Sequence, residues 1–262
     1  MPDMTSHAPG TFSWADLVTT EPVGAKGFYT SLFGWDGKDM PVPGSVYTML
    51  SKGGKSVCAL YEMPGDMRNM GVPPHWQSYV TVEDVDKAAA RAQELDGTVI
   101  AQPFDVMDAG RMAMVLDPSG AKFAMWQPKA SIGAGVLRET GALCWNELHT
   151  KDTEGAAKFY NRLFGWTTKT SPGAMNEEYT EFYSGSQPVG GMLKIKPEWG
   201  EIPPNWAVYF QVASCDASLE RAQGLGAKAI MPPMAVKGVG RFVFLHDPQG
   251  AVFAVIQMEA GA

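Results

Sequence analysis

The chain has 262 residues and a formal net charge of -7, with 45% hydrophobic and 19% charged residues. This acidic balance argues against nucleic acid as a partner, because phosphate binding requires a basic surface. No apolar run reaches the roughly 18 residues of a membrane span, and the polar N-terminal stretch lacks the apolar core of a signal peptide. We therefore expect a globular cytoplasmic protein of one or two domains that binds neither nucleic acid nor a membrane.

The first regular pattern predicts a strand, a helix and a hairpin. The segment "TFSWADLVT" (11–19) has the composition of a strand, and "EPVGAKGFYTSLFG" (21–34) has the apolar spacing of a helix with one buried face. Gly34 suits the helix C-terminus, because a positive φ costs glycine little. Two β-rich runs around a "KGGK" turn then predict a hairpin over 45–63.

The next segment repeats this order of elements. "WQSYVTV" (76–82) predicts a strand, and "DVDKAAARAQELDG" (84–97) predicts an amphipathic helix that Asp84 caps. "GRMAMVLDPSGAKFAMWQP" (110–128) predicts a hairpin, because Pro and Gly supply the torsions of a "DPSG" turn. Each unit is thus a strand, a helix and three further strands.

The second half of the chain repeats the first at an offset of about 130 residues. Trp14 aligns with Trp145, "GFYTSLFGW" with "KFYNRLFGW", and "DPSGAKFAMWQ" with "DPQGAVFAVIQ". The chain is therefore a tandem duplication of paired units. The predicted boundaries are a first domain at 11–128 (modules 11–64 and 75–128), a linker at 129–141 and a second domain at 142–258 (modules 142–197 and 205–258).

The three cysteines, Cys58, Cys144 and Cys215, lie in or beside apolar runs and form no CxxC pair. This pattern favours buried thiols over a metal or redox site. Unpaired thiols also agree with a reducing cytoplasm.

The repeated "FYxxLFGW" and "GR…DPxGAxFA" motifs make the chain similar to the vicinal oxygen chelate superfamily, which includes glyoxalase I, bleomycin-resistance proteins and extradiol dioxygenases. The chain resembles most the tandem two-domain branch labelled glyoxalase-like or "hydroxylase" in actinobacteria. The resemblance implies an α+β fold of four βαβββ modules, paired into two domains with cup-shaped mixed β-sheets. The order of the modules leaves open whether they pair as 1-2 and 3-4 or as 1-4 and 2-3.

The resemblance also implies where a metal would bind. Enzymes of the family hold one divalent ion with His, Gln or Glu side chains from the strands of the cup. The corresponding positions here carry Trp14 and Trp145, Gln77 and Ala207, and Ala124 and Ala254. The oxygen of Gln77 could ligate a metal, but indole and methyl groups do not, so most of the ligand positions are empty. We therefore predict no metal and no cofactor, with one divalent metal as the alternative.

Acidic residues accompany the two tryptophans at strand spacing. Asp16 shares a face with Trp14, and Glu147 and His149 share a face with Trp145, because side chains alternate along a strand. A carboxylate held beside an indole away from water has a raised pKa and serves as a general acid or base. We predict these three residues as catalytic, with a purely structural role for the carboxylates as the alternative.

Aromatic and polar residues on neighbouring strands are predicted to bind the substrate. Arg111 and Arg241 each follow a glycine, and an arginine grips a carboxylate or enolate oxygen with two hydrogen bonds. Their alternative role is structural, as a salt bridge to Asp16 or Glu147 or as a contact between units. The remaining predicted lining residues, with core packing as the alternative for the tyrosines, are Trp14, Trp145, Gln77, Tyr79, Tyr209 and Trp126.

The predicted function is a metal-free protein that binds a small organic substrate or drug, as a monomer or homodimer. We favour an enzyme that carries out lyase or proton-transfer chemistry, of the hydroxylase-like tailoring or aldehyde-detoxification kind. The alternatives are a resistance protein that sequesters a toxic compound without turnover and a metal-dependent glyoxalase or dioxygenase.

Overall fold

The first two modules form one continuous β-sheet. The computed structural model describes residues 4–173 and 177–259. The elements of these modules are β1 (Phe12–Thr19), α1 (Pro22–Phe33), β2 (Asp36–Val42), β3 (Ser45–Lys52), β4 (Lys55–Glu62), α2 (Gly65–Asn69), β5 (His75–Thr81), α3 (Val85–Glu94), β6 (Thr98–Val106), β7 (Gly110–Leu116) and β8 (Lys122–Pro128). They make an eight-stranded sheet in the order β2-β3-β4-β1-β5-β8-β7-β6.

The last two modules form a second sheet of the same design. Their elements are β9 (Leu143–Thr150), α4 (Thr153–Phe164), β10 (Thr167–Pro172), β11 (Glu178–Ser184), β12 (Gln187–Lys194), a 3-10 turn (Pro197–Trp199), β13 (Asn205–Gln211), α5 (Cys215–Gly224), β14 (Lys228–Ala229), β15 (Met234–Val236), β16 (Gly240–His246) and β17 (Val252–Met258). The order is β10-β11-β12-β9-β13-β17-β16, with β14 and β15 both paired to β16. Modules therefore pair with their neighbours in the chain, as 1-2 and 3-4.

Each sheet is mixed, as the α+β prediction requires. β1 runs parallel to β4 and antiparallel to β5, and β5 runs parallel to β8. The second sheet repeats this arrangement around β9, β12, β13 and β17. The predicted fold of four βαβββ modules in two mixed-sheet domains is confirmed.

The module helices lie between the two sheets and carry the core across the domain boundary. Phe28 of α1 packs edge-on against Phe253 of the second sheet, and Phe159 of α4 packs against Phe123 of the first. The hydroxyl of Tyr29 donates to Asp247 at 2.9 Å, and that of Tyr160 donates to Asp117 at 3.0 Å. The tyrosine of each "FY" pair thus binds the "DPxG" turn of the other domain, and the phenylalanine packs on the strand that follows this turn.

The linker is an ordered segment that docks on the first sheet. Ala134 donates its backbone N–H to Ser13 O and Gly135 donates to Ser56 O, both at 2.8 Å. Ala134 belongs to the buried cluster around Trp14, Tyr79 and Trp126, on the face of the first sheet opposite the core between the sheets, and Leu137 packs against this cluster. The linker therefore covers one end of this face of the first sheet, which we call the first concave face. Among residues 4–173 and 177–259, the corresponding hydrophobic cluster of the second sheet, on the second concave face, contains only residues of its own strands. Among the helices of the described residues, none has the length and apolar character needed to cross a membrane.

Candidate functional site

Strand alternation divides the residues of β1 and β9 between two environments. Ala15 and Leu17 enter the core between the sheets, whereas Trp14 belongs to the cluster on the opposite, concave face. In β9, Leu148 enters the core and Trp145 lies on the concave face. The register predicted from the sequence is therefore the one observed.

On the first concave face, Asp16 is buried among three hydrogen-bond donors. Its carboxylate accepts from Trp14 Nε1 at 2.5 Å and from the hydroxyls of Tyr47 and Tyr79, both at 2.7 Å. Burial raises the pKa of Asp16, and the three hydrogen bonds oppose that rise. The raised pKa has the direction expected from the sequence.

On the second concave face, Glu147 occupies the equivalent place and gains a histidine. Its carboxylate accepts from the hydroxyls of Tyr179 at 3.0 Å and Tyr209 at 2.7 Å, and Oε1 lies 3.0 Å from His149 Nε2. Trp145 Nε1 donates to the Tyr179 hydroxyl at 2.9 Å rather than to the acid. The duplicated site is thus a carboxylate held by two tyrosines beside a tryptophan.

The protons of this second cluster follow from its partners. Burial and the negative charge of Glu147 raise the pKa of Tyr179 and Tyr209 well above the usual value, so both hydroxyls keep their protons and donate. The carboxylate only accepts, so His149 Nε2 must be the donor in the third hydrogen bond. In a neutral ring, His149 Nδ1 is then an available acceptor.

The sequence did not predict that Tyr47 and Tyr179 belong to these two sites. They lie on the hairpin strands β3 and β11, more than thirty residues beyond the acids that they contact. One signal was present, because a "YT" pair occurs at this point of both repeats. This signal can be interpreted only from the topology of the sheet. β4 and β12 pair in parallel with the first strand of their modules, and this pairing places the hairpin tyrosines beside the acids.

Gln77 and Trp126 lie on the first concave face, as predicted. Gln77 pairs with Asp16 across β5 and β1, and its Oε1 is buried with no hydrogen-bond partner. Trp126 Nε1 donates to Ser131 O of the linker at 3.0 Å. Trp126 therefore holds the linker against the sheet, and Gln77 presents an unused acceptor.

Arg111 and Arg241 do not reach either concave face, which corrects their predicted role as substrate ligands. Arg111 Nε and Nη2 donate to Asp86 at 2.8 Å, and Arg241 donates to Asp216 at 2.9–3.1 Å. The alternative partners, Asp16 and Glu147, are also wrong. The physical reason is alternation on β7 and β16: Met112 and Phe242 face the concave clusters, so the preceding arginines face the helices.

The two concave faces differ in how completely side chains fill them. On the first, Trp14, Tyr79, Met112 and Trp126 are all less than 9% exposed. On the second, Trp145 and Phe244 are only half-buried, and Ile256 replaces Trp126. Two aromatic side chains of the second face therefore remain partly accessible.

The donors present do not fit a divalent metal. Within residues 4–173 and 177–259, no group of three His, Cys, Asp or Glu side chains is arranged to hold an ion. Glu147 already accepts from three side chains, and the flanking strand positions are Ala207 and Ala254. On the first face, Asp16 likewise accepts from three donors.

Comparison with known proteins identifies relatives along the whole chain. The protein named "Putative glyoxylase CFP32" from Mycobacterium tuberculosis is 40% identical over 259 residues, which cover 98% of both chains. The anthracycline biosynthesis protein DnrV from Streptomyces peucetius is 35% identical over 269 residues, which cover 98% of this chain and 97% of DnrV.

Solved structures share the fold at low sequence identity. The Mn(II)-bound glyoxalase from Novosphingobium aromaticivorans superposes with a TM-score of 0.66 at 14% identity, covering 96% of this chain and 83% of that one. The 2,3-dioxygenase LapB from Pseudomonas sp. KL28 also gives 0.66 at 14% identity, with coverage of 96% and 93%. The sequence model of the Glyoxalase/Bleomycin resistance protein/Dioxygenase superfamily matches residues 11–125 and 144–255. With two family matches that together span both sheets, the chain belongs to the glyoxalase, bleomycin resistance protein and dioxygenase superfamily.

Proposed function

We propose that the second concave face binds a small organic molecule with oxygen substituents, and that the Glu147–His149 pair transfers a proton to or from it without a metal. The observation that carries this proposal is the 3.0 Å contact between His149 Nε2 and Glu147 Oε1. A carboxylate that accepts a hydrogen bond from one ring N–H of a histidine fixes the tautomer of the imidazole. The other ring nitrogen then carries the lone pair and serves as a base. Glu147 is then a positioning residue, and His149 is the proton acceptor.

The surroundings of His149 suit a planar ligand. Its ring centre lies 5.4 Å from that of Trp199 and 5.8 Å from that of Phe244. Within the part of the chain that the structure describes, His149 Nδ1 has no hydrogen-bond partner, which leaves it available to a ligand. Aromatic walls with a few convergent polar groups are typical of small-molecule sites.

The second face is the better candidate because the first lacks these features. Val18 stands where the second face has His149, and the linker covers one end of the first face.

The relatives suggest two substrate classes. The name glyoxylase points to small oxo-aldehydes or oxo-acids, and anthracycline biosynthesis points to polycyclic aromatic ketones.

The test compares variants of the two faces in one assay. Consumption of methylglyoxal, with and without thiol, and of an anthracyclinone is measured for wild type, His149→Gln, Glu147→Gln and Asp16→Asn. We expect His149→Gln to lower kcat/KM about 100-fold or more, as for loss of a general base. We expect Glu147→Gln to cost less than His149→Gln, and Asp16→Asn to cost least. Equal activity in all four proteins would reject the proposed base.

Two other results would favour the alternative functions. Tight, saturable binding without turnover would indicate a protein that sequesters its ligand. A stoichiometric divalent metal in protein purified without an affinity tag would contradict the metal-free proposal.

A further inference from the structure

A separate group of polar side chains lies at the end of the first concave face that the linker does not cover. Tyr79 pairs with Ala124 across the parallel strands β5 and β8. The residues two positions earlier, Gln77 and Lys122, therefore share their face. Lys122 Nζ lies 2.6 Å from Nε2 of His75 at the start of β5.

The partners of His75 determine which atom donates. His75 Nδ1 lies 2.8 Å from Pro73 O, and a carbonyl oxygen only accepts, so Nδ1 carries the proton. Burial, together with the charge of Lys122, lowers the pKa of His75 to about 4. The ring is therefore neutral, and its Nε2 lone pair accepts a hydrogen bond from the amine of Lys122.

Lys122 differs from the surface residues Lys87 and Lys158 in its partners. Lys87 pairs with Asp84 and Lys158 pairs with Glu154, which raises the pKa of both amines. Across residues 4–173 and 177–259, no carboxylate lies within salt-bridge distance of Lys122. Burial lowers the pKa of Lys122 to about 8. A larger share of this amine is therefore unprotonated and nucleophilic at neutral pH.

The group is not a requirement of the fold. In the second repeat, Asn205 stands at the place of His75, Ala207 at that of Gln77 and Val252 at that of Lys122. Gln77 adds a second sign of a ligand, because its Oε1 is buried without a hydrogen-bond partner while its Nε2 donates to Ser78 O. Unsatisfied buried acceptors are rare in folded proteins, and this one lies on the sheet face that also carries Lys122.

We propose that Lys122, His75 and Gln77 form a carbonyl-binding site, in which the Lys122 amine forms an imine with a small aldehyde. The nitrogen lone pair forms the N–C bond, and the C=O π electrons move to oxygen. His75 Nε2 first passes one proton from the nitrogen to this oxygen, which gives the neutral hydroxyl intermediate. It then passes the second proton from the nitrogen to the hydroxyl group, which leaves as water while the C=N bond forms. Gln77 Oε1 accepts a hydrogen bond from the hydroxyl of the intermediate. The step consumes an aldehyde and releases water, with no oxidation or reduction.

The test uses the folded wild-type protein with limiting propanal and sodium cyanoborohydride, which reduces the imine to a stable propyl-amine. Peptide mass spectrometry then gives the labelling rate at each lysine. We expect Lys122 to gain a propyl group roughly ten-fold faster than Lys87 and Lys158, because more of its amine is neutral. Labelling of Lys122 no faster than of these two lysines would overturn the proposal, and this readout does not depend on a variant that folds.

One variant tests the role of His75, and two further variants serve as controls. His75→Gln keeps a hydrogen-bonding group but removes the proton acceptor, and we expect it to slow labelling of Lys122 several-fold. A wild-type rate in this variant would overturn the role of His75. Lys158→Arg is the matched control on the surface and leaves labelling of Lys122 unchanged. Glu147→Gln also leaves it unchanged, so this site and the proposed proton transfer on the second face succeed or fail independently.

Discussion

At the scale of single residues, one pattern of contacts appears twice with different consequences. Asp16 and Glu147 each receive two tyrosine hydroxyls, but the third donor is an indole for Asp16 and an imidazole for Glu147. An indole N–H only donates, whereas an imidazole also accepts. The same backbone position therefore supports a closed hydrogen-bond cluster on one face and a potential base on the other.

The first prediction concerns the effect of Asp16 on stability. Its pKa is raised in the folded state, so the folded protein binds the proton more tightly than the unfolded chain does. The free energy of unfolding therefore falls as pH rises from about 4 through the raised pKa. Asp16→Asn removes this dependence, so we expect its stability relative to wild type to improve between about pH 4 and pH 7.

Urea unfolding at several pH values measures this effect, with Asp86→Asn as a control of opposite sign. Arg111 holds the pKa of Asp86 below its usual value, so the ionised form of this carboxylate stabilises the folded protein. This stabilisation is complete above the pKa of the unfolded chain and is lost as pH falls. Relative to wild type, Asp86→Asn should accordingly lose stability as pH rises toward about 4 and show little further change above that pH, whereas the change for Asp16→Asn begins there. A difference between wild type and Asp16→Asn that does not vary with pH would contradict the prediction.

At the scale of secondary structure, the repeated "FGW" marks a helix end that requires glycine. Gly34 ends α1 with φ 71°, and Gly165 ends α4 with φ 72°. Each donates its backbone N–H to the carbonyl four residues earlier, at 2.9 Å and 2.8 Å. This left-handed cap turns the chain into the next strand and lets the following tryptophan enter the core.

The second prediction compares two glycines of α1. A Cβ at Gly34 or at Gly27 would meet no atom within 4 Å, so neither substitution creates a clash. Gly34→Ala places alanine at a positive φ and should cost roughly 1–2 kcal/mol. Gly27→Ala lies within the helix and should add about 0.5–1 kcal/mol. Urea unfolding of both variants checks the signs, and equal effects would show that conformation at Gly34 is unimportant.

At the scale of the whole molecule, two symmetric hydrogen-bond chains join the domains. Trp76 Nε1 donates to the Tyr29 hydroxyl at 3.1 Å, and Tyr29 donates across the boundary to Asp247. Trp206 donates to Tyr160 at 2.8 Å, and Tyr160 donates to Asp117. The aromatic rings of the two chains lie in two buried clusters, each of which contains residues of both sheets, so the two sheets are expected to unfold together.

The third prediction removes one of these links. Tyr160→Phe keeps the ring but leaves the Asp117 carboxylate and the Trp206 N–H without their shared partner. We expect a loss of about 1–3 kcal/mol, because buried polar groups are left unsatisfied. Tyr29→Phe should behave alike. Urea unfolding followed by fluorescence and circular dichroism measures the change, and an unaltered midpoint would show that the links add no stability.

Local periodicity was sufficient to predict much of the architecture. The duplication, the order of elements in each module and the concave placement of Trp14, Asp16, Trp145 and Glu147 follow from repeats and from the two-residue period of strands. Gln77 on the concave face was predicted for the same reason. These features depend only on neighbours in sequence.

Only the tertiary structure decided the partners of these residues. Module pairing, the tyrosines from β3 and β11, the linker on the first face and the salt bridges of Arg111 and Arg241 all join segments distant in the chain. The Lys122–His75 contact likewise joins residues 47 positions apart. The alternation of apolar and polar residues along a strand assigns a side chain to one face of the sheet. Its contacts on that face are set by strand order and register, because these depend on the packing of the whole chain.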